Sequence, residues 1–253
     1  MPIDLSRRLA GRTRSPRANR QLGCLLAFVA GATNAGGFLA VHQYTSHMTG
    51  IVSAMADNIA LGTYDLVLGG IGALLSFIVG AAVTAVLVNY ARHRRLTSEY
   101  ALPLILEAVL LLCFGMLGAR LSQVEGLFVP ATVMLLCFIM GLQNALITKL
   151  SRAEIRTTHI TGIVTDIGIE LGKLFYWNGR HSPGQPRVVS DRSRLALLTM
   201  LAGSFFSGGV VGALGFKHAG YIATVPLAVA LIAVAIVPAV DDFMGMYRKR
   251  AHS

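Results

Sequence analysis

The chain has 253 residues, of which 54% are apolar and 13% are charged, and its mean hydropathy is +0.63. Soluble chains carry about 25% charged residues, because a hydrated surface requires them. The composition therefore excludes a disordered chain, a disulfide scaffold and an ordinary cytosolic enzyme, and it is typical of a protein that crosses a membrane several times.

Six apolar, weakly charged stretches follow one another along the chain. Each is long enough, at about 1.5 Å per residue, to cross about 30 Å of hydrocarbon. The stretches do not alternate as the strands of a β-barrel do, and the first is too long for a signal peptide. The sequence predicts an all-α integral membrane protein with six transmembrane helices at residues 22–41, 66–90, 101–119, 127–148, 195–216 and 219–240.

The basic residues orient these helices, because lysine and arginine concentrate on cytoplasmic flanks. All of the 22 except Arg120 and Lys217 fall in four segments, namely 1–20, 91–100, 149–194 and 241–253. If the chain crosses the membrane six times, these four segments all lie on the same side of the membrane. We therefore expect a bacterial inner (plasma) membrane protein with both termini in the cytoplasm. Its net charge of +10 then meets anionic lipid headgroups. No nucleic-acid partner is expected, since no nucleic-acid-binding motif is present.

One motif occurs twice. Thr-Ser-His-Met-Thr-Gly-Ile-Val-Ser at residues 45–53 matches Thr-Thr-His-Ile-Thr-Gly-Ile-Val-Thr at residues 157–165. Gly-x-x-Asn-Ala precedes both copies, and Ser-Phe-x-x-Gly-x-x-Val-x-Ala follows both. Each copy contains three spans, and because three is odd the second copy must enter the membrane from the opposite side. The sequence therefore predicts an inverted-topology duplication.

The predicted organisation has four parts. Residues 1–20 form a basic cytoplasmic tail, residues 21–122 the first membrane repeat, and residues 127–240 the second. The second repeat contains a cytoplasmic loop at 178–192, which is rich in turn residues. Residues 241–253 form a cytoplasmic C-terminal tail.

A short helix is predicted after the first span of each repeat, at residues 49–62 and 161–174. Both are too short to cross a membrane, and Thr49 and Thr161 are suitable N-cap residues. Each helix is either re-entrant, with its amide groups aimed at the midplane, or lies at the interface. A capping and turn device would explain the motif equally well. The polar faces of the two helices carry Ser53, Asp57, Asp166 and Glu170.

These motifs resemble a known family. The resemblance rests on Gly-x-x-Asn-Ala in the first span, the Met48-Thr49-Gly50 turn, Gly-Leu-Gln-Asn-Ala at residues 141–145 and Thr-Thr-His-Ile-Thr-Gly at residues 157–162. In this combination, and over about residues 20–240, the chain is similar to the YoaK-like family of bacterial inner-membrane proteins. The resemblance implies a multi-pass membrane protein of unknown function and supplies no catalytic residue.

Candidate path residues are polar groups in or beside the spans. Glu107 has apolar neighbours, and a buried carboxylate costs several kcal/mol unless it is paired or protonated. It either handles protons or cations or bonds to a neighbouring helix. His47 and His159 either gate a path or are plain loop residues. Asn34 and Asn144 either line a path or bond between helices. The predicted solute path comprises Asn34, His47, Thr49, Glu107, Asn144, His159 and Thr161.

No enzyme motif is present, and the three cysteines, Cys24, Cys113 and Cys137, lack metal-ligand spacing. We therefore expect no enzyme activity, no cofactor and no metal. The leading hypothesis is a small-solute permease or channel, its solute unknown, with a path between the two Thr-x-His-x-Thr-Gly turns. The alternative is a membrane scaffold, assembly factor or sensor acting through its basic cytoplasmic face. Glycines such as Gly208 and Gly212 predict close helix packing within one chain or in a homo-oligomer.

Overall fold

A computed structural model describes residues 16–96, 98–121, 125–150, 160–177 and 187–250, and within these residues it contains helices and no strand. A 3-10 turn, Gly220–Ala223, joins the last two helices. The helices are α1 (Pro16–Val41), α2 (Met48–Ala60), α3 (Tyr64–His93), α4 (Ala101–Leu121), α5 (Glu125–Leu150), α6 (Ile160–Phe175), α7 (Arg192–Ala219) and α8 (Thr224–Arg250).

In the part of the chain that the structure describes, five helical stretches are long and apolar enough to cross a membrane, which confirms the all-α membrane class. The last stretch is 53 residues long and contains both α7 and α8. Gly220, at a φ of 59°, separates these two helices, since glycine adopts positive φ at no steric cost. The five stretches are Arg17–Val41, Tyr64–His93, Ala101–Gly118, Pro130–Lys149 and Arg192–Met244.

Two pairs of long helices run parallel. Gly23 lies beside Leu201 and Gly36 beside Phe216, so α1 and α7 point in the same direction. In the other pair, α3 and α5, Gly72 lies beside Met134 nearer the start of both helices. Further along, the Thr84 hydroxyl donates a 2.9 Å hydrogen bond to the carbonyl of Leu142.

Both parallel pairs meet at glycines that bring backbone against backbone. A Cβ at any of four glycines would overlap a carbonyl of the partner helix, so no larger residue fits without a shift. The close packing predicted from glycines such as Gly208 and Gly212 is thus confirmed, and these contacts lie within one chain. The four contacts are Gly31 on Phe205, Gly208 on Phe28, Gly141 on Phe77 and Gly80 on Phe138.

Helices α1 and α5 are antiparallel. The Gln143 side chain donates a 3.2 Å hydrogen bond to the carbonyl of Leu26, whereas Gly37, further along α1, lies beside the earlier Leu136. The two helices therefore end at opposite ends of the bundle. Because α2 follows α1 and α6 follows α5, the two short helices lie at opposite ends as well.

Helices α4 and α8 are also antiparallel, since Gly115 lies beside Thr224 and Gly118 beside the ring of Tyr221. They complete the largest apolar core, to which α1 and α5 also contribute. Its fully buried members include Leu22, Leu26, Leu104, Leu111, Ile139, Met140 and Leu231.

Candidate functional site

The first motif forms the turn between α1 and α2. The Ser46 hydroxyl donates a 2.8 Å hydrogen bond to Oδ1 of Asn34. Asn34 lies about two turns, or about 10 Å, before the end of α1 at Val41. The bond therefore holds the start of α2 inside the bundle. Ile51 packs there in one cluster with Ala73, well within α3, so α2 runs outward from the interior.

The predicted N-cap at Thr49 is wrong. Helix α2 begins at Met48, and His47 occupies the capping position without a side-chain cap bond. The ring of His47 lies over the first turn of α2, where a Cβ at Gly50 would overlap it. Thr161 likewise lies inside its helix, which begins at Ile160, so it is not the N-cap either. His159 and the rest of the second turn lie outside the described residues.

An open pocket of about 520 Å³ borders the first turn, between α2, the start of α3 and the start of α5. This volume is in the range of small-molecule sites, which combine apolar walls with a few polar groups. Met55 and Met134 form part of the apolar wall. Ser53 and Asp57 are exposed elsewhere on α2 and do not line the pocket. The polar lining residues are Gln43, Tyr44, His47, Asn58 and Asp65.

Polar side chains are buried in the bundle. Glu107 is 0% exposed, and neither carboxylate oxygen has a hydrogen-bond partner among the described residues. Thr33, Gln143 and Asn144 each bury a side-chain oxygen that also lacks such a partner. Buried polar groups are normally hydrogen-bonded, and an isolated buried carboxylate is costly unless it binds a proton or a cation. These groups are therefore candidates to contact a proton, water or solute.

The polar face of α6 contacts the start of α7. Glu170, only 2% exposed, accepts hydrogen bonds from Lys173 Nζ at 2.8 Å, from the backbone N–H of Asp191 at 2.8 Å and from the Ser190 hydroxyl at 3.2 Å. The bonds from Lys173 and then Asp191 hold the pKa of Glu170 below its ordinary value.

A second contact joins the same two helices. Asp166 forms a 3.0 Å ion pair with Arg194, about one turn closer to the interior than Glu170. The carboxylate of Asp191 caps α7 by accepting the N–H groups of Ser193 and Arg194, and these bonds lower the pKa of Asp191. Asp166 and Glu170, predicted as the polar face of the second short helix, thus bind α6 to described residues of α7 and of the segment before it.

The predicted site residues are spread along the bundle rather than gathered in one cluster. Asn34 and His47 lie at one end, whereas Asp166 and Glu170 lie at the other. Glu107 and Asn144 are buried between helices. Sequence reasoning did not single out Gln143 or Thr33. Their position in the sequence could have identified them, because Gln143 directly precedes Asn144 and Thr33 directly precedes Asn34, the repeated asparagines.

The long apolar helices, buried glycine crossings and short helices at each end define a multi-pass helical membrane protein. Residues 22–237 match a family described as "Protein of unknown function (DUF1275)", and the chain belongs to this family. UPF0700 transmembrane protein YoaK of Bacillus subtilis is 29% identical over 156 residues, which are 60% of this chain and 67% of that protein. The YoaK-like resemblance is thereby confirmed. No solved structure matches the chain.

Proposed function

We propose that the chain is a small-solute permease or channel of a bacterial inner membrane, built from two inverted three-helix repeats with both termini in the cytoplasm. The observation that carries the proposal is a group of four side chains, Thr33, Glu107, Gln143 and Asn144, which are among those that bury a polar oxygen without a partner in the described residues. Such groups are expensive in an apolar bundle and are expected where protons or solutes pass.

The helix contacts support the inverted repeat. Gly31 and Phe77 in the first copy correspond to Gly141 and Phe205 in the second. Gly31 contacts Phe205 and Gly141 contacts Phe77, so each copy makes the same contact with the other. The first helices of the two copies, α1 and α5, run antiparallel, as copies that enter from opposite sides require. Six crossings follow if the 53-residue stretch crosses twice, with its break at Gly220.

Hydrogen bonds at one end of the bundle support the orientation. The Ser98 N–H donates to the carboxylate of Asp242 at 3.3 Å, and the Tyr100 hydroxyl donates to the carbonyl of Lys149 at 3.2 Å. The α3–α4 loop, the end of α5 and the last turns of α8 therefore share one end. This end carries most of the described arginines and lysines, as expected for a cytoplasmic face.

The short helices support a route. Helix α6 resembles α2 in its course, because Ile163 near its start packs against Ala27 and Leu201, well inside α1 and α7. Each short helix thus leads from the interior to one end, and the two ends are opposite. We propose that both are re-entrant and border a solute path, since irregular backbone at membrane depth survives only in protein or beside a wet cavity.

A ligand screen tests the proposal. The purified full chain in detergent is heated with representative inorganic anions, organic anions, cations and neutral metabolites. A ligand at about 100 times its Kd stabilises the folded state by about 2.7 kcal/mol, so one class should raise Tm clearly. Any such ligand is then tested for flux in liposomes, where Glu107→Gln should slow its passage without lowering Tm.

Two matched glycine variants make the screen specific. A Cβ on Gly69, in the pocket lining, or on Gly203, outside it, meets no atom within 4 Å. Gly69→Leu should fill the pocket and abolish the ligand-induced rise in Tm, whereas Gly203→Leu should retain it. The proposal fails if no class stabilises the protein and none passes the liposome membrane, or if both variants respond to the ligand equally.

The scaffold, assembly or sensor role remains the second candidate, and the basic end of the bundle favours it. Under that reading, deletion of residues 1–15 or 178–186, which spares the Asp191 cap of α7 and the bonds to Glu170, abolishes the cellular phenotype of the protein. Under the permease reading, both deletions leave solute flux intact. Flux measured on the two deletion variants therefore separates the two functions.

A further inference from the structure

A second pocket, of about 340 Å³, lies at the end of the bundle opposite the first turn. It is formed by the last turn of α6 and by the segment that leads into α7, and we call it the basic pocket. Three cationic side chains line it, those of Lys173, Arg187 and Arg192, together with Tyr176 and Ser190. The Ser190 hydroxyl already donates to Glu170, so the cations and the Tyr176 hydroxyl are the groups that favour an anion with several acceptor oxygens.

The acidic groups nearby cancel only part of the charge of the basic pocket. Glu170 pairs with Lys173 at 2.8 Å and compensates that cation, whereas the Asp191 carboxylate is used in capping α7. Arg187 and Arg192 are exposed, and neither forms an ion pair with another described residue. Two guanidinium groups are therefore available, and their geometry suits phosphate oxygens.

An aromatic edge adjoins the basic pocket. Phe175 is 81% exposed, Tyr176 58% and Trp177 87%, and they follow one another at the end of α6. Tyrosine and tryptophan are enriched where a membrane meets water. Exposed apolar side chains continue from this edge along α6, including those of Leu171 and Leu174. A cationic pocket at the end of an exposed apolar strip matches the two parts of a phospholipid.

We propose that the basic pocket binds the phosphate-bearing headgroup of an anionic phospholipid, whose acyl chains lie against the exposed apolar side chains of α6. Basic pockets on the cytoplasmic side of membrane proteins hold such headgroups by charge. This site does not depend on passage of a solute through the bundle. It fixes the end of α6 to the membrane surface while Glu170 and Asp166 fix α6 to α7.

The single tryptophan of the chain, Trp177, reports on this site directly. The full chain in detergent is titrated with short-chain phosphatidylglycerol, with phosphatidylcholine of the same chain length, and with inorganic phosphate. Phosphatidylglycerol should change the Trp177 emission saturably. Phosphatidylcholine, which has the same chains without net negative charge, and inorganic phosphate, which has no chains, should each bind at least tenfold more weakly.

Paired variants isolate the arginines. Arg187→Gln with Arg192→Gln should weaken phosphatidylglycerol binding about 30-fold, because each basic residue near an anionic surface contributes about 1 kcal/mol and 1.4 kcal/mol is tenfold. Arg94→Gln with Arg95→Gln removes the same charge from exposed positions outside the basic pocket, and it should change the affinity less than threefold.

Three results would overturn the site. Equal binding of phosphatidylcholine would indicate apolar adsorption, equal binding of inorganic phosphate would indicate a soluble-anion site, and equal losses in both double variants would indicate general charge attraction. Replacing Arg187 and Arg192 by lysine guards against misfolding. That variant keeps the charge and should retain most of the affinity, and a Tm within 2 °C or so of the parent chain shows that each variant is folded.

Discussion

The two short helices occupy corresponding places in the duplicated sequence, yet they are held in different ways. Helix α2 is tied inward through Ser46 and Asn34, and it borders the open pocket of about 520 Å³. Helix α6 is bound to α7 through Glu170 and Asp166, and it borders the smaller basic pocket. Between described residues, no ion pair joins α2 to α3.

This difference teaches that the two halves of the chain share their helix crossings and differ at their ends. The crossings of α1 with α7 and of α3 with α5 use the same glycine positions, where backbone contact leaves no room for divergence. At the two ends of the bundle, different side chains surround the two short helices. One end is an open pocket with polar walls, and the other is a polar contact beside a cationic surface.

The largest effects are expected at the glycine crossings, where the two halves should behave alike. Gly208→Ala and Gly80→Ala each place a Cβ against a backbone carbonyl, and overpacking of this kind costs about 1–3 kcal/mol. Thermal unfolding in detergent measures the loss. Gly203→Ala and Gly69→Ala, whose Cβ atoms meet open space, should be neutral or stabilising by up to about 1 kcal/mol. A large loss in only one of the two crossings would break the equivalence of the halves.

The next effect should be confined to the first half. Ser46→Ala removes the donor to Asn34 and should destabilise the protein by about 1 kcal/mol, as for a typical hydrogen bond. The Trp177 emission, which reports on α6, should not change. Ser53→Ala, at an exposed position of α2, should stay within about 0.5 kcal/mol of the parent chain. If both serine variants lose stability equally, the bond to Asn34 does not hold α2.

A smaller effect should be confined to the second half. Asp166→Asn breaks a partly exposed ion pair with Arg194, and such pairs contribute about 0.2–1 kcal/mol. The loss of Tm should shrink at high salt, because salt screens exposed charges. Asp57→Asn, on the exposed side of α2, should leave Tm unchanged at both salt concentrations. A loss for Asp166→Asn that does not depend on salt would mean that Asp166 acts through packing instead.

Lowering the pH into the acid range should weaken the attachment of α6 to α7 and leave α2 unaffected. A change of pH between 6 and 8 should affect neither helix. The pKa of Glu170 is lowered from its ordinary 4.5 in the folded chain. Its contribution is therefore complete above about pH 4.5 and is lost as the pH falls through the lowered folded-state pKa. The Trp177 emission should change in this acid range. Glu170→Gln removes the titrating carboxyl, so an unchanged acid transition in that variant would assign the effect to another group.

The sequence predicted the short helices closely, at 49–62 and 161–174 against Met48–Ala60 and Ile160–Phe175. It could do so because the repeated motif is local. The N-caps escaped prediction, since the start of α2 depends on how His47 packs over Gly50. The contact of Glu170 with Asp191 also escaped, because these residues are 21 positions apart.

By itself, the amino-acid sequence determined that this chain is an all-helical membrane protein with a repeated motif, because hydropathy and the motif can both be read from the order of the residues. Only the tertiary structure decided which helix faces meet and where pockets open. In a membrane protein the lipid-facing and the bundle-facing sides are both apolar, so hydrophobicity does not distinguish them. On α3, for example, exposed Leu75 and Ile78 and buried Ala73 and Gly80 are all apolar or small. Close backbone approach and hydrogen bonds between distant residues make that choice, and they exist only in the folded chain.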